Sequence, residues 1–370
     1  MHAIRPFILG LLAVSTLSAF PHQSRPEQTT SSPPSLIPAW EIQAGGTDAS
    51  LRGISVVDEL TAWASGSKGT VLRTTDGGKT WPAKPVPAAV NIDFRDIEAL
   101  DARTAIIMGI GRPAKIFRTT DGGGSWVEVY GNDRPGIFLD AMAFADADNG
   151  WAAGDPLDGR FFLLRTSDGG RTWREPPEQN RPAALEGEGL FAASGTCLEV
   201  RGGGDIRFCT GGPASRLFHS RDDGRTWSIR DSPLLSGQPS YGTFSLSFLD
   251  DTLGLIVGGD YRNEPAAVKN AAWTSDGGKT WTLVESKPPA GFRESIAFVP
   301  GTAPVMAVSV GPSGSDYSLD RGASWTPLSG PSGFHALGFA RSGKAGWAVG
   351  MGGLIAKLRL PGGSAESRKH

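Results

Sequence analysis

The eight residues TTDGGKTW at positions 74–81 return five more times along the chain, as TTDGGGSW at 119–126, TSDGGRTW at 166–173, SRDDGRTW at 220–227, TSDGGKTW at 274–281 and SLDRGASW at 318–325. The shared pattern is S/T-x-D-x-G-x-S/T-W. Its aspartates, Asp76, Asp121, Asp168, Asp222, Asp276 and Asp320, follow one another at intervals of 45, 47, 54, 54 and 44 residues. That interval is the length of one four-stranded blade in a radially repeated all-β ring. Each copy reads as a hairpin turn: the Asp76 carboxylate folds back onto backbone N–H groups, and Gly77 and Gly78 supply the positive φ of a tight reversal. The tryptophan closing each copy, Trp81, Trp126, Trp173, Trp227, Trp281 or Trp325, starts the outgoing strand and is expected to wedge between neighbouring sheets, burying about 150–250 Å².

Two further strand signals precede each turn. TAWASG (61–66), NGWAAG (149–154), LGLIVGG (253–259) and AGWAVG (345–350) are short apolar runs rich in glycine, and TVLRT, KIFRT, FFLLRT and RLFHS alternate into the turn itself. A unit therefore reads as strands a, b, c, turn, d. A seventh unit is split: GFHALGFARSGKAGWAVGMGGLIAKL (333–358) supplies a, b and c without a turn, and AWEIQAG (39–45) resembles the strand that follows the turns elsewhere. The expected fold is all-β, a seven-bladed β-propeller closed by the N-terminal strand pairing with the last blade, which removes two sheet edges at once.

The 51 glycines and 27 prolines among 370 residues leave little room for helices. A net charge of −2 advertises neither nucleic acid nor an anionic membrane as partner. Residues 1–20 carry Arg5 ahead of a short apolar run and read as a signal peptide, too short to span a membrane. Residues 21–38 read as a disordered linker rich in Pro, Ser and Thr, 39–360 as the propeller, and 361–370 as a disordered tail. The expectation is a secreted or periplasmic protein with no membrane span after cleavage, and a monomer. Cys197 and Cys209 lie in TCLEVRGGGDIRFC, where a hairpin centred on Gly202–Gly204 opposes them, so a disulfide is expected in an oxidising compartment. Two thiols and five scattered histidines show no ligand spacing, so neither a metal nor any other cofactor is expected.

LRGISVVDELTAWASGSKGTVLRTTDGGKTW (51–81) and the closing GWAVGMGGLIAKL resemble blades of the photosystem II stability/assembly factor family, propellers of the BNR or Asp-box class within the sialidase-like superfamily. The resemblance spans about residues 39–358. It implies the propeller fold and, for the photosynthetic branch, a chaperone-like scaffold that holds a membrane-protein precursor during assembly. Bacterial relatives carry looser labels, oxidoreductase and glycosyl hydrolase among them. No residue here points to photosynthesis, so a photosystem partner is not carried over.

In such a ring the starts of strands a and the b–c loops share one face, and the turns lie on the other. Aligning LRGIS, FRDIE, FLDAM, LFAAS, TFSLS, FRESI and FHALG as strands a brings Arg52, Arg95, Asp96, Asp140, Ser245, Arg293, Glu294 and His335 to the mouth of the central channel. The b–c loops add Asp260, Tyr261, Arg262 and Glu264 from GGDYRNE, together with Lys68, Arg112, Asp155, Asp158 and Arg160. A concave mouth with convergent charges is the default binding site. The alternative is a solvated rim whose charges pair with one another. The adopted functional reading is a non-enzymatic binding or assembly scaffold that grips a protein or peptide partner on this funnel face. A sialidase-like glycoside hydrolase competes, with Arg52, Arg95 and Arg293 clamping a carboxylate, Tyr261 as nucleophile beside Glu264, and Asp140 as acid. It lacks the Arg-Ile-Pro signature of sialidases. An oxidoreductase would need a glycine loop between strand and helix, whereas GIGRPA (109–114) runs into the strand KIFRT.

Overall fold

The computed structural model describes residues 37–360, and the expected signal peptide, most of the linker and the tail lie outside them. Seven antiparallel sheets follow one another around a ring. Blade 1 holds Leu51–Val56, Ala62–Gly66 and Thr70–Thr74, with Ala83 bridging to Leu72 as its outer edge. Blade 2 holds Asp93–Ala99, Ala105–Ile110, Ala114–Thr119 and Val127–Asn132, and blade 3 holds Leu139–Phe144, Gly150–Leu157 and Arg160–Thr166. Blade 4 is Leu198–Arg201, Asp205–Cys209, Arg216–Ser220 and Ser228–Asp231; blade 5 is Gln238–Phe248, Gly254–Asp260, Ala271–Thr274 and Thr282–Leu283. Blade 6 contains Ser295–Val299, Met306–Gly311, Gly314–Ser318 and Thr326–Leu328. Blade 7 takes Phe334–Phe339, Gly346–Gly350 and Ile355–Arg359 from the C-terminal end and Ala39–Gln43 from the N-terminal end. Helix among the described residues is confined to single 3-10 turns.

All six repeats form the same turn. In the first, Thr74 Oγ1 donates to Asp76 Oδ1 (2.8 Å) and accepts from Gly78 N (2.9 Å), while Thr80 donates its amide to Asp76 Oδ1 (3.0 Å) and its hydroxyl to Asp76 Oδ2 (2.7 Å). The sixth repeats it with Ser318, Asp320, Gly322 and Ser324, and places even a non-glycine, Arg321, at φ 62°. These bonds favour the ionised carboxylate: the hydroxyl and amide of Thr80 hold Asp76 down to about 2. Asp222 and Asp276 fall equally far through Thr226 and Thr280.

The turn tryptophans lie between blades, as expected. Trp81 meets Trp347 of blade 7 edge to face at 6.2 Å, Trp126 meets Trp63 of blade 1 at 6.1 Å, and Trp173 packs with Ile106 and Met108 of blade 2. Each fills the gap toward the preceding blade, so one side chain welds two sheets. Trp81, Trp173 and Trp325 are buried and Trp126, Trp227 and Trp281 half-buried.

The N-terminal strand closes the ring as expected, with Trp40 opposite Leu358 and Ile42 opposite Ala356. No turn precedes this outer strand, and Gln43 takes over at the seam. Its Oε1 accepts from the indole N–H of Trp81 (3.1 Å) and from that of Trp347 (2.9 Å), joining the first blade to the last.

Two expectations are corrected in blade 4. LFAAS (190–194) is not its innermost strand; that place is taken by Leu198–Arg201, the first arm of the cysteine hairpin, which pairs with Asp205–Cys209 about the Gly202–Gly204 turn. Cys197 and Cys209 do oppose each other, but they are free thiols, both buried, and no disulfide joins them. The amide of Cys209 donates to the carbonyl of Cys197 at 3.0 Å. They thus occupy a hydrogen-bonded position, where opposed side chains stand farther apart than at the alternate position. Both pack into the apolar cluster shared with Phe161, Phe208 and Phe218, and burial pushes both thiol pKa values up.

Candidate functional site at the channel mouth

Strand a is interrupted near its start by a β-bulge in blades 1, 2, 3, 5 and 7. The unpaired residues are Arg52, Arg95, Asp140, Phe244 and His335, because Leu51 pairs with Gly66 and Gly53 with Ser65, and likewise around the ring. Glu294 in blade 6 and Thr196 in blade 4 occupy the equivalent place, each immediately before the residue that resumes pairing. A bulge re-aims one side chain. Here it re-aims one residue in each of five blades.

The following residue faces the next blade instead. Asp96 accepts from Met142 N (2.6 Å), Ser245 from Ile296 N (3.0 Å) and Ser295 from Leu337 N (3.4 Å). Asp96 and Ser245, expected at the mouth, are therefore inter-blade pins. Burial raises the pKa of Asp96 well above the usual carboxylate range.

The mouth is not empty. Residues 190–196, displaced from strand a, cross it as a plug. Arg95 Nη1 donates to Ala192 O at 2.7 Å, Arg52 Nη1 to Ala193 O at 3.2 Å, and Ser194 Oγ to the carbonyl of Glu294 at 2.8 Å. Leu190 N donates to Asp155 Oδ1 at 3.1 Å, and Thr196 Oγ1 reaches Ser245 Oγ at 2.7 Å. One short segment of blade 4 thus touches blades 1, 2, 3, 5 and 6. Phe191 anchors it, stacked on Phe244 at 3.8 Å in an aromatic group that includes Phe292 and the half-exposed Tyr261.

Charges around the plug are largely paired. Arg95 Nε holds Asp93 at 2.8 Å, and Glu294 Oε2 lies 2.7 Å from His335 Nδ1 and 3.5 Å from Arg52 Nη1, linking blades 6, 7 and 1. Asp140 is buried with Oδ2 unpartnered, and His335 Nε2 is likewise unpartnered. Burial and then the neighbouring Asp155 push the Asp140 carboxyl well above its ordinary pKa.

Of the other expected residues, Arg293 does not join Arg52 and Arg95. It is fully buried within blade 6, with Nε 2.7 Å from Asp316 Oδ2 and Nη1 2.8 Å from Ser313 Oγ. No three-arginine clamp forms. Asp260 caps its own loop by accepting from Arg262 N (2.9 Å), the Arg262 guanidinium lies 5.9 Å from the Tyr261 ring, and Glu264 contributes its carbonyl to Phe292 N. Lys68 pairs with Asp48 and Arg160 caps Arg181 O, so the outer rim matches the solvated alternative. GIGRPA is the hairpin between Ala105–Ile110 and Ala114–Thr119, with no helix after it. The plug, Phe244 and Thr196 were missed from sequence. The signal for the plug and Thr196 was the 54-residue interval before Asp222, longer than its predecessors.

The family model described as the photosynthesis system II assembly factor YCF48 matches residues 33–138. A solved structure of YCF48 bound to D1 peptide superposes with a TM-score of 0.63 at 18% identity, covering 87% of this chain and 98% of that one. The chain resembles the YCF48 propellers. YCF48 from Cyanidioschyzon merolae gives a TM-score of 0.60 at 17% identity, over 87% and 99% of the two chains. A GH74 xyloglucanase from Xanthomonas campestris gives 0.59 at 17% identity over 86% of this chain but 53% of the enzyme. At these identities the structural likeness establishes the ring alone. No curated protein matches the sequence.

Proposed function

We propose that this chain is an exported, non-enzymatic scaffold that binds a segment of a protein partner at the plugged mouth. The observation that carries the reading is that Arg52 and Arg95, from two adjacent blades, already grip two consecutive main-chain carbonyls there. Guanidinium donors aimed at peptide oxygens, next to a half-exposed aromatic group, are the chemistry of peptide recognition rather than bond cleavage. The resemblance to YCF48, one structure of which holds a D1 peptide, supports the same class of partner.

The hydrolase reading gains no support from the geometry. Arg293 is committed to Asp316, and the Glu264 carboxylate makes no contact with Tyr261 that would make the pair a nucleophile and its base. The test is cross-linking and affinity capture from the exported fraction. A single defined protein is expected, lost on Arg95→Glu while cooperative unfolding is retained. Captures with no defined partner, or a partner indifferent to Arg95→Glu, would overturn the reading. Turnover of aryl sialosides or β-glucosides abolished by Tyr261→Phe would establish the hydrolase instead.

A further inference from the structure

The plug is held by bonds of the kind a bound peptide would make. Its two arginine contacts go to main-chain oxygens of Ala192 and Ala193, and its one large side chain, Phe191, lies flat on Phe244. Its small residues fit a tight space: a Cβ on Gly195 would come within 2.4 Å of the Asp96 carboxylate, at a φ of 75° that side chains avoid. The entry is anchored separately. Glu188 is buried against Arg216 (Nε–Oε1 2.8 Å) and Thr210 Oγ1 (2.6 Å), and Gly189 bridges to Gly211. The exit is fixed where Thr196 O accepts from Leu246 N at 3.1 Å. Between these anchors only residues 190–195 need move to open the mouth. Asp140 Oδ2 and His335 Nε2, on the bulged positions of blades 3 and 7, have no hydrogen-bond partner.

We infer that Phe191–Gly195 is a built-in competitor for the partner's segment, and that the partner presents a matching motif, an aromatic residue followed by small residues whose carbonyls reach Arg52 and Arg95. This deepens the reading proposed above and rests on it. A site occupied by its own chain lowers apparent affinity by the fraction of time it is open, so loosening the plug must tighten binding. The inferred partner is a protein segment, not a free anion, because the arginines meet neutral carbonyls and the anchor is a ring.

The probe is a fluorescent synthetic peptide of the chain's own sequence, GLFAASGT, titrated by anisotropy into the full chain. The full chain is compared with Ser194→Ala, which removes the bond to Glu294 O, and with Gly195→Val, which forces the plug off Asp96; unfolding curves confirm that each variant folds. Binding at least tenfold tighter to either folded variant than to the unaltered protein is expected. Saturating peptide should also speed hydrogen exchange at Leu190–Gly195, and peptide with Phe replaced by Ala should not bind. Equal affinity for all proteins with exchange at 190–195 unchanged would overturn the competitor while leaving a peptide-binding mouth intact. Equal binding of the Phe-to-Ala peptide would overturn the motif. No binding to any of the proteins, with fast exchange at 190–195 in a variant showing the plug already open, would overturn the peptide-binding mouth itself.

Discussion

Aspartate on the turn face and aspartate at the mouth carry opposite physics within one ring. On the turn face, Asp76 sits at the surface, receives bonds from two hydroxyls and from backbone amides, and is held at about 2. At the mouth, Asp140 is buried, leaves one oxygen unpartnered, and has its pKa pushed up by burial. The turn recurs six times almost unchanged; the mouth varies from blade to blade, with two arginines, an aspartate, a threonine, a phenylalanine, a glutamate and a histidine in the seven positions. Repetition marks what the fold needs from every sheet, and variation marks what the ring presents as a whole.

The largest effect that would break this division is removal of the closing strand. A chain begun after Gln43 exposes the edge of Ile355–Arg359 and leaves the indole N–H groups of Trp81 and Trp347 without their acceptor, and it should lose cooperative thermal unfolding. Trp81→Ala on the turn face should cost about 3–5 kcal/mol by denaturant titration, since a buried ring between two blades leaves a cavity. A loss under about 1 kcal/mol would mean that the wedge is not what joins the sheets. Thr74→Val should cost about 1–3 kcal/mol, because the buried Gly78 amide loses its acceptor.

A smaller effect separates the faces by pH. Turn carboxylates have lowered folded pKa values, so their stabilisation is present above about 4, the unfolded value, and is lost as pH falls through about 2. Asp140, Asp155 and Glu199 have raised values, Glu199 to about 7 through burial. Their contribution is full below about 4 and is lost as pH rises through their folded values. For Glu199 stability should therefore decline between about pH 4 and about pH 7, its unfolded and folded values, by at most about 1.4 kcal/mol per pH unit, and Asp140 and Asp155 add declines of the same sign above about pH 4. Asp140→Asn should flatten that decline in urea titrations, whereas Asp276→Asn should not. The smallest expected effect is at the thiols: Cys197 and Cys209 should resist a thiol reagent in the native state, and a reductant should leave the unfolding temperature unchanged.

The ring was legible because its turn chemistry is mostly local: within Thr74–Thr80 the hydroxyls, the Asp76 carboxylate and the Gly78 amide satisfy one another, while Gly77 N reaches Leu60 O of the neighbouring loop. Closure was legible for the same reason, since AWEIQ matches the strands that follow the turns. The mouth was only half legible. Which of Arg95 and Asp96 faces the channel depends on a one-residue bulge, and a bulge shows only in the pairing with strand b. LFAAS carries strand-like residues, yet its strand position in blade 4 went to Leu198–Arg201, which the glycine turn pairs with Asp205–Cys209 at short range. The hairpin opposed the cysteines as expected, yet both thiols are free, because proximity alone does not fix the bonding state.

The amide of Gln43 has a temporal meaning. The strand that carries it is synthesised long before its partner, Ile355–Arg359. Bringing together ends more than three hundred residues apart is the slow, entropically expensive step of such a topology. The other sheets can form from neighbouring stretches of chain, but the seventh waits for Ile355–Arg359 to meet Ala39–Gln43. The latch between the two indoles therefore reports that the first blade has met the last.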